Sequence, residues 1–323
     1  MNGSTDVRTF TVGADETGTR LDVFLTKHTG MSRSRIKHLI TDGYLVIDSG
    51  KPPKPSYPVE KGDTIKITIP SVEEPDFLPE NIPIDIIFQD EHIMVVNKPA
   101  GMVVHPGRGN VSGTLVSALL YHCKSLSGVG DKMRPGIVHR LDMDTSGLIV
   151  VALNNESHSI LSEMIHNHEV KRYYTAIVWG HPEPQSGTVD APIGRHPRKG
   201  TLRTVISSGK SAITHYRLTY SYEFLSKLSV TLETGRTHQV RVHLAHIGHH
   251  VFGDPYYGGR EERLKGFSPD IREKAKQLLK NINRQALHAE RLEFIHPVTG
   301  EGLSFEASLP KDICVLLKVI EKG

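Results

Sequence analysis

Cysteine is nearly absent from this 323-residue chain, which has only Cys123 and Cys314. Two thiols exclude a disulfide framework and point to a reducing compartment. Long hydrophobic runs are missing as well: the longest, Leu148 to Leu153, is far too short to span a bilayer. The first twenty residues are polar and lack the apolar core of a secretory signal, so the expected location is the cytoplasm. No G-x-G-x-x-G precedes a helical pattern and no G-x-x-x-x-G-K-[ST] occurs, so no nucleotide cofactor has a visible cradle. Excess charge of one sign is also lacking. Thirty-nine Lys and Arg stand against thirty-six Asp and Glu, a net of +3, so an anionic partner must be met by local patches. Internal repeats and low-complexity tracts are absent. Histidine, at nineteen residues, is the one type in surplus.

Pro70, Pro75, Pro79 and Pro83 fall in or beside the acidic stretch SVEEPDFLPENIP at 71–83. Such a stretch is neither helix nor central strand and reads as a linker between a small module, 1–70, and a large one, 84–323. In the small module an amphipathic helix opens at Arg20-Leu21-Asp22, and Ser32 is placed to cap a second helix that stops at Gly43. Strands are expected at 44–47 and 63–69. From Lys27 to Lys54, six Lys or Arg oppose two Asp, a local +4. Arg33 and Lys37 lie four apart on one helical face, a spacing that can follow phosphates. In the large module, apolar or alternating runs predict strands at 84–88, 92–96, 148–153, 173–178, 213–220, 228–233 and 292–295. Helices are expected at 113–123, 155–167, 237–247 and 270–284. The two kinds of element do not alternate regularly, which argues for an α+β fold over a doubly wound parallel sheet.

Three segments could carry chemistry. The first is HRLDMDTSGLIVVA at 139–152, with two carboxylates, Asp142 and Asp144, ahead of an apolar strand. A magnesium phosphatase of the haloacid-dehalogenase type uses such a pair. It needs an apolar strand leading into the first acid and Thr or Val two places after the second. Here Val-His-Arg-Leu leads in, Ser146 holds that place and the apolar run follows. Asx and Ser/Thr turns account for Asp144-Thr145-Ser146-Gly147 but not for Asp142. The second segment is LETGRTHQVRVHLAHIG at 232–248. Thr237 can cap a helix there, placing Arg236 at its entrance and Arg241 a turn further on. An arginine at that entrance suits a fork-like pair with a carboxylate elsewhere, and Asp142 is the natural partner. His238, His243, His246, His249 and His250 have no acidic or Cys ligand beside them, and Gly248 interrupts the helix, so structural or RNA-facing roles are favoured over a metal. The third segment, 190–217, sets Arg195, Arg198, Lys199, Arg203, Lys210 and Arg217 against Asp190, a local +5 suited to gripping phosphate.

Six ordered segments together resemble the RluA family of pseudouridine synthases: VVNKPAGMVVHP (95–106), GIVHRLDMDTSGLIVVA (136–152), KRYYTAIV (171–178), GKSAITHY (209–216), LETGRTHQVRVHLAHIGHHVFGDPYYGG (232–259) and QALHAERLEFIHPVTGE (285–301). In front of them, residues 17–70 are similar to the alpha-L RNA-binding domain. The resemblance implies a pseudouridine synthase fold, a mixed and largely antiparallel sheet flanked by helices around a central RNA-binding cleft. It also implies a monomer without cofactor or metal, acting on large-subunit (23S) ribosomal RNA. By the same resemblance, Asp142 is the catalytic carboxylate and Arg236 its ion-pair partner. Tyr173, read from Lys171-x-Tyr173, stacks on the target uracil. Arg140 enters the RNA stack as the uridine leaves, an extrusion of on the order of a few kcal/mol. Val240 lines the base pocket, and Lys98 in KPAG is structural or RNA-facing. Thr145 belongs to the tight loop at the substrate, and Arg33 and Lys37 contact RNA. Asp144 is a turn-former, and the polar insert at 260–284 has no role beyond a surface helix. The implied target is the stem-loop of helix sixty-nine. The alternatives are other 23S positions, transfer RNA, or a non-catalytic RNA-binding factor in ribosome assembly.

Overall fold

The computed structural model describes residues 6–31, 33–50, 53–69, 78–105, 112–123, 126, 129–130 and 134–321. Its chain divides into two compact units, 1–76 and 77–323. In the first unit, β1 (Asp6–Thr11) is followed by α1 (Leu21–Thr29), α2 (Arg33–Thr41), β2 (Leu45–Ile47) and β3 (Thr64–Ile69). The helices form because their apolar residues recur at three and four: Leu21, Phe24 and Leu25 on α1, and Ile36, Leu39 and Ile40 on α2, all buried. They close on the inward positions of β3, Ile65 and Ile67, and on Leu45 and Ile47 of β2. The three strands pair antiparallel in the order β1-β3-β2. The expected Ser32 cap lies outside the described residues, as do residues 71–77 of the expected linker.

The second unit runs β4 (Asp85–Gln89), β5 (Ile93–Lys98), α3 (Leu115–His122), β6 (Ser146–Ala152), α4 (Asn155–His166), β7 (Lys171–Trp179), β8 (Ser186–Asp190), β9 (Ile193–Arg195) and β10 (Arg203–Val205). It continues with β11 (Ile213–Ser221), β12 (Leu225–Leu232), α5 (Gln239–His246), α6 (Pro269–Lys280), β13 (Leu287–Ile295), β14 (Gly302–Glu306) and α7 (Lys311–Ile320). Among the described residues, nine strands form one mixed sheet in the order β4-β5-β6-β13-β7-β12-β11-β8, with β14 on β13. Every pairing in it is antiparallel except β6 with β13.

That parallel contact sits at the start of β6, where His288 faces Ser146 and Ala289 faces Gly147. A Cβ on residue 147 would come within 2.2 Å of the Ala289 carbonyl oxygen, and its φ is +118°. Only glycine allows the strands to approach so closely. Along the second half of β7 both faces of the sheet are buried. Tyr174, Ala176 and Val178 of β7 enter one core, while Ile177 and Trp179 enter a second with Phe224, Phe252, α6 and α7. The insert at 260–284 therefore belongs to that second core: Ala275, Leu278 and Leu279 are buried against it. Its incoming Arg260 donates to the carbonyls of Leu279, in the last turn of α6, and of Ile282, past its end.

Candidate active site

β6 begins in a turn that carries Asp142. The Thr145 amide donates to the Asp142 carbonyl at 3.1 Å, closing residues 142–145. Its peptide groups are held from both sides. The Met143 carbonyl accepts from Lys98 Nζ at 3.0 Å and from the Gly101 amide at 3.0 Å. The Asp144 carbonyl accepts from Arg284 Nη1 at 3.0 Å, and Arg284 is itself forked onto Asp312 at 2.6 and 2.9 Å. The Thr145 hydroxyl accepts from Gln285 Nε2 at 3.1 Å. Lys98 is fully buried and also donates to the Pro99 and Met102 carbonyls. Burial pushes its ammonium down to about 7, opposed by the charges of Asp142 and Asp144. Lys98 is thus a buried brace for the loop, the structural one of its two expected roles and not a surface contact.

The Asp142 carboxylate, 14% exposed, does not meet Arg236. Its Oδ2 accepts from Arg241 Nη1 at 3.1 Å. Arg241 is buried and forked onto buried Asp254 through Nε (2.7 Å) and Nη2 (2.9 Å). The Asp254 Oδ1 also takes the amides of Tyr256 and Tyr257. Burial alone would lower the Arg241 pKa. Asp254 and then Asp142 outweigh it and raise the value. Arg236 lies before the helix, exposed, with Nε donating to the Ser211 carbonyl at 2.9 Å. The difference comes from where α5 starts. His238, not Thr237, is the N-cap residue, in a left-handed conformation at φ +59°, so Arg241 is the third helical residue. The buried Gln239 side chain sets that entrance: its Oε1 accepts from the Arg236 amide and the Thr234 hydroxyl, and its Nε2 donates to Ile213 O and Thr214 Oγ1. His238 stands with Nε2 3.9 Å from Asp142 Oδ1 and Nδ1 2.7 Å from the Tyr257 hydroxyl. Burial lowers its pKa, with Asp142 opposing.

Tyr173 is also displaced from its expected role. Successive strand residues point to opposite faces. Tyr173 donates to Glu293 at 3.0 Å and lies under Arg291 at 4.0 Å, in a groove with Arg217 and Lys227. Its neighbour Tyr174 lines the Asp142 cavity, together with Leu232, Val240 and Leu287. Burial pushes the Tyr174 hydroxyl up. The cavity measures about 40 Å3, room for a few waters. Arg140, Thr145, Arg172 and Arg236 also line it, and Asp142 is the one carboxylate among the described lining residues. Arg140 and Arg236 are the exposed arginines of that lining.

Other expected contacts are distributed elsewhere. His243 is buried, with Nδ1 on Thr214 Oγ1 and Nε2 on the Ala191 carbonyl, so it is structural. Among the described residues, no three His, Cys, Asp or Glu side chains converge on a metal position. The middle of the basic stretch at 190–217 forms the β9–β10 hairpin, with Arg195, Arg203, Lys210 and Arg236 around one groove, while Arg217 lies on β11. On the first unit, Lys37 is exposed on α2, and the side chain of Arg33 lies outside the described residues. No described helix is long and apolar enough to cross a membrane.

Residues 92–246, which hold Asp142, Tyr174, Val240 and Arg241, match the family model described as RNA pseudouridylate synthase. A protein of Zymomonas mobilis named ribosomal large subunit pseudouridine synthase D is 44% identical over 308 residues, 94% of each chain. The chain belongs to the RNA pseudouridylate synthase family. A second relative, from Bacillus subtilis and named uncharacterized RNA pseudouridine synthase YlyB, is 41% identical over 314 residues, 97% of this chain and 98% of the relative. The solved structure of human RNA pseudouridylate synthase domain containing 4 superposes with a TM-score of 0.57 at 26% identity, covering 73% of this synthase and 93% of that chain. Sequence reasoning placed Asp142 and Val240 in the synthase's cavity but missed Tyr174, His238, Arg241 and Asp254. The signal for Arg241 was present in its spacing from Thr237 and was passed over for the nearer arginine.

Proposed function

We propose that this pseudouridine synthase isomerises uridines in large-subunit ribosomal RNA, with Asp142 as its catalytic carboxylate. The observation that carries the reading is the chain Asp142–Arg241–Asp254. It fixes one partly open carboxylate at the wall of a cavity whose other described lining residues are apolar, cationic or uncharged polar. Conversion of uridine to pseudouridine breaks the N1–C1′ bond, turns the base and rejoins it at C5, an isomerisation without net redox change. It needs a fixed ionised group beside an enclosed base. Arg241 aims the carboxylate, Asp254 holds Arg241, and Tyr174, Leu232, Val240 and Leu287 supply the apolar walls against which a uracil packs. Arg140, exposed in that lining, is placed to occupy the RNA stack when the nucleotide leaves it. The Lys98 and Arg284 braces keep the Asp142 turn in place as the base enters.

The large-subunit substrate rests on the relative named for it, and the stem-loop of helix sixty-nine is the first position to examine. The first unit, with exposed Lys37 on α2, is proposed as an RNA-binding domain that brings the target within reach. The test is a map of pseudouridines in ribosomal and transfer RNA from cells with and without the gene, complemented by wild type or Asp142→Asn. The expected result is one or more large-subunit positions that disappear with the gene and return only with wild type. An unchanged large-subunit map refutes the substrate. A change confined to transfer RNA moves the activity there. Full rescue of a ribosome defect by Asp142→Asn makes the chain an assembly factor.

A further inference from the structure

Beside the Asp142 cavity lies a larger one of about 380 Å3, within the size range of small-ligand pockets. Arg134, Arg140, Arg172 and Arg236 and four histidines line it, and no carboxylate does so among its described lining residues. Arg172 is the unusual member. It is only 5% exposed and forms no salt bridge with a described carboxylate. Its single hydrogen bond runs from Nη2 to the Glu233 carbonyl at 3.3 Å, and its Nε has no acceptor. Nearby His139 is buried, with Nε2 accepting from the Val150 amide, so its Nδ1 carries the proton, and that nitrogen has no partner either. Burial and the Arg172 charge push His139 down to about 3, so it stays neutral. A buried guanidinium without an anion is strongly disfavoured, and two sets of donors here lack acceptors. Gly235 leaves the space: a Cβ there would come 2.9 Å from Arg172 Nη1.

We propose that this cavity is an anion subsite that takes a phosphodiester of the RNA strand next to the target uridine, with Arg172 as its buried anchor and Arg134 at its rim. The proposal rests on the RNA reading above. Arg140, Arg172, Gly235 and Arg236 line both cavities, so an anion held here sits one short link from whatever occupies the space beside Asp142. A nucleic acid supplies that geometry, because every nucleoside is tethered to phosphates on both sides. The planar fork of arginine matches two phosphate oxygens. Arg172 binds and positions the strand and takes no part in bond changes.

The test is steady-state kinetics on an in vitro transcribed large-subunit RNA fragment with wild type, Arg172→Gln, Arg172→Lys and Arg134→Gln, at several salt concentrations. For Arg172→Gln the expected rise in KM is about 10- to 100-fold, the loss of a charge-assisted bond, and far exceeds any fall in kcat. Arg172→Lys recovers part of it, and exposed Arg134→Gln shows a rise of about 3- to 10-fold. In each Gln variant the slope of log K against log salt weakens by about 0.7 to 0.9. Inorganic phosphate competes with RNA for wild type more strongly than for Arg172→Gln. Unchanged KM and salt slope in both Gln variants, or a fall confined to kcat, overturns the subsite and leaves the synthase reading standing. Should Arg172→Gln fail to fold, Arg134→Gln and phosphate competition on wild type decide alone. Absence of pseudouridine formation by wild type on any large-subunit fragment overturns the substrate reading.

Discussion

Replacing Arg241 by Met removes a guanidinium that joins two acids, and the consequences differ at its two ends. At the inner end Asp254 is fully buried and keeps only the Tyr256 and Tyr257 amides. Breaking a buried pair by deleting one partner destabilises by about 3–5 kcal/mol. For a folding unit of this size that lowers Tm by roughly 6–20 °C at about 2–4 °C per kcal/mol. At the outer end Asp142 loses the 3.1 Å bond that aims it, and a displacement on the order of 1 Å at a reacting group lowers the rate about 100-fold. Arg236→Met deletes an exposed side chain with one bond to the Ser211 carbonyl and is expected to change stability by less than about 1 kcal/mol. The assays are thermal unfolding and single-turnover pseudouridine formation. Adding Asp254→Leu to Arg241→Met restores much of the stability, because no buried charge is then left alone, but does not restore the rate. If Arg241→Met keeps wild-type stability and rate while Arg236→Met loses both, the ion-pair assignment is wrong.

Two further outcomes follow from the same geometry. Tyr173→Phe is expected to lose only the Glu293 hydrogen bond, about 1 kcal/mol of stability with little change in kcat. Tyr174→Ala opens the wall of the Asp142 cavity, destabilises by about 3–5 kcal/mol and lowers kcat at least tenfold; equal effects at the two positions would refute the assignment of faces. Lys98 is held at about 7 in the fold against an ordinary 10.5. Between those pH values the unfolded chain carries a proton that the folded chain has released, so the Lys98 contribution to stability rises with pH. The gain from pH 6.5 to 9.5 is about 3 kcal/mol at 1.36 kcal/mol per pKa unit. Urea unfolding of wild type and Lys98→Met at both pH values should show a stability difference that shifts by this amount in favour of wild type. A difference independent of pH would mean that the three carbonyl acceptors keep the ammonium charged.

The elements legible in the sequence are those with one buried face or a long apolar run. β6 was readable from LIVVAL, and α1 and α2 from apolar spacings of three and four. Harder to read were places where tertiary structure overrides local pattern. From Tyr174 onward β7 is buried on both faces, Tyr174 in one core and Ile177 and Trp179 in the other, so the apolar run carries no alternation that tells Tyr173 from Tyr174. The start of α5 was misplaced because Thr237 has the chemistry of a cap, whereas Gln239 makes the bonds from inside the helix and His238 takes a left-handed backbone that no local rule announces. For Lys98 the sequence left a structural and an RNA-facing role side by side, because its three acceptors are carbonyls of residues 99, 102 and 143, which only the folded chain brings together. The insert at 260–284 is polar by composition, and the second core that its α6 covers is assembled from β7, β12 and α7, distant in sequence. Asp142 itself was legible because its acid could not be explained by the turn that follows it.

The most direct measurement is the single-turnover yield of pseudouridine from purified Asp142→Asn protein on a large-subunit RNA fragment, with the Kd for that RNA determined in parallel. A side chain of the same shape without the charge is expected to give no pseudouridine while Kd stays within about threefold of wild type. Pseudouridine formed at the wild-type rate would show that the reaction does not depend on the carboxylate held by Arg241.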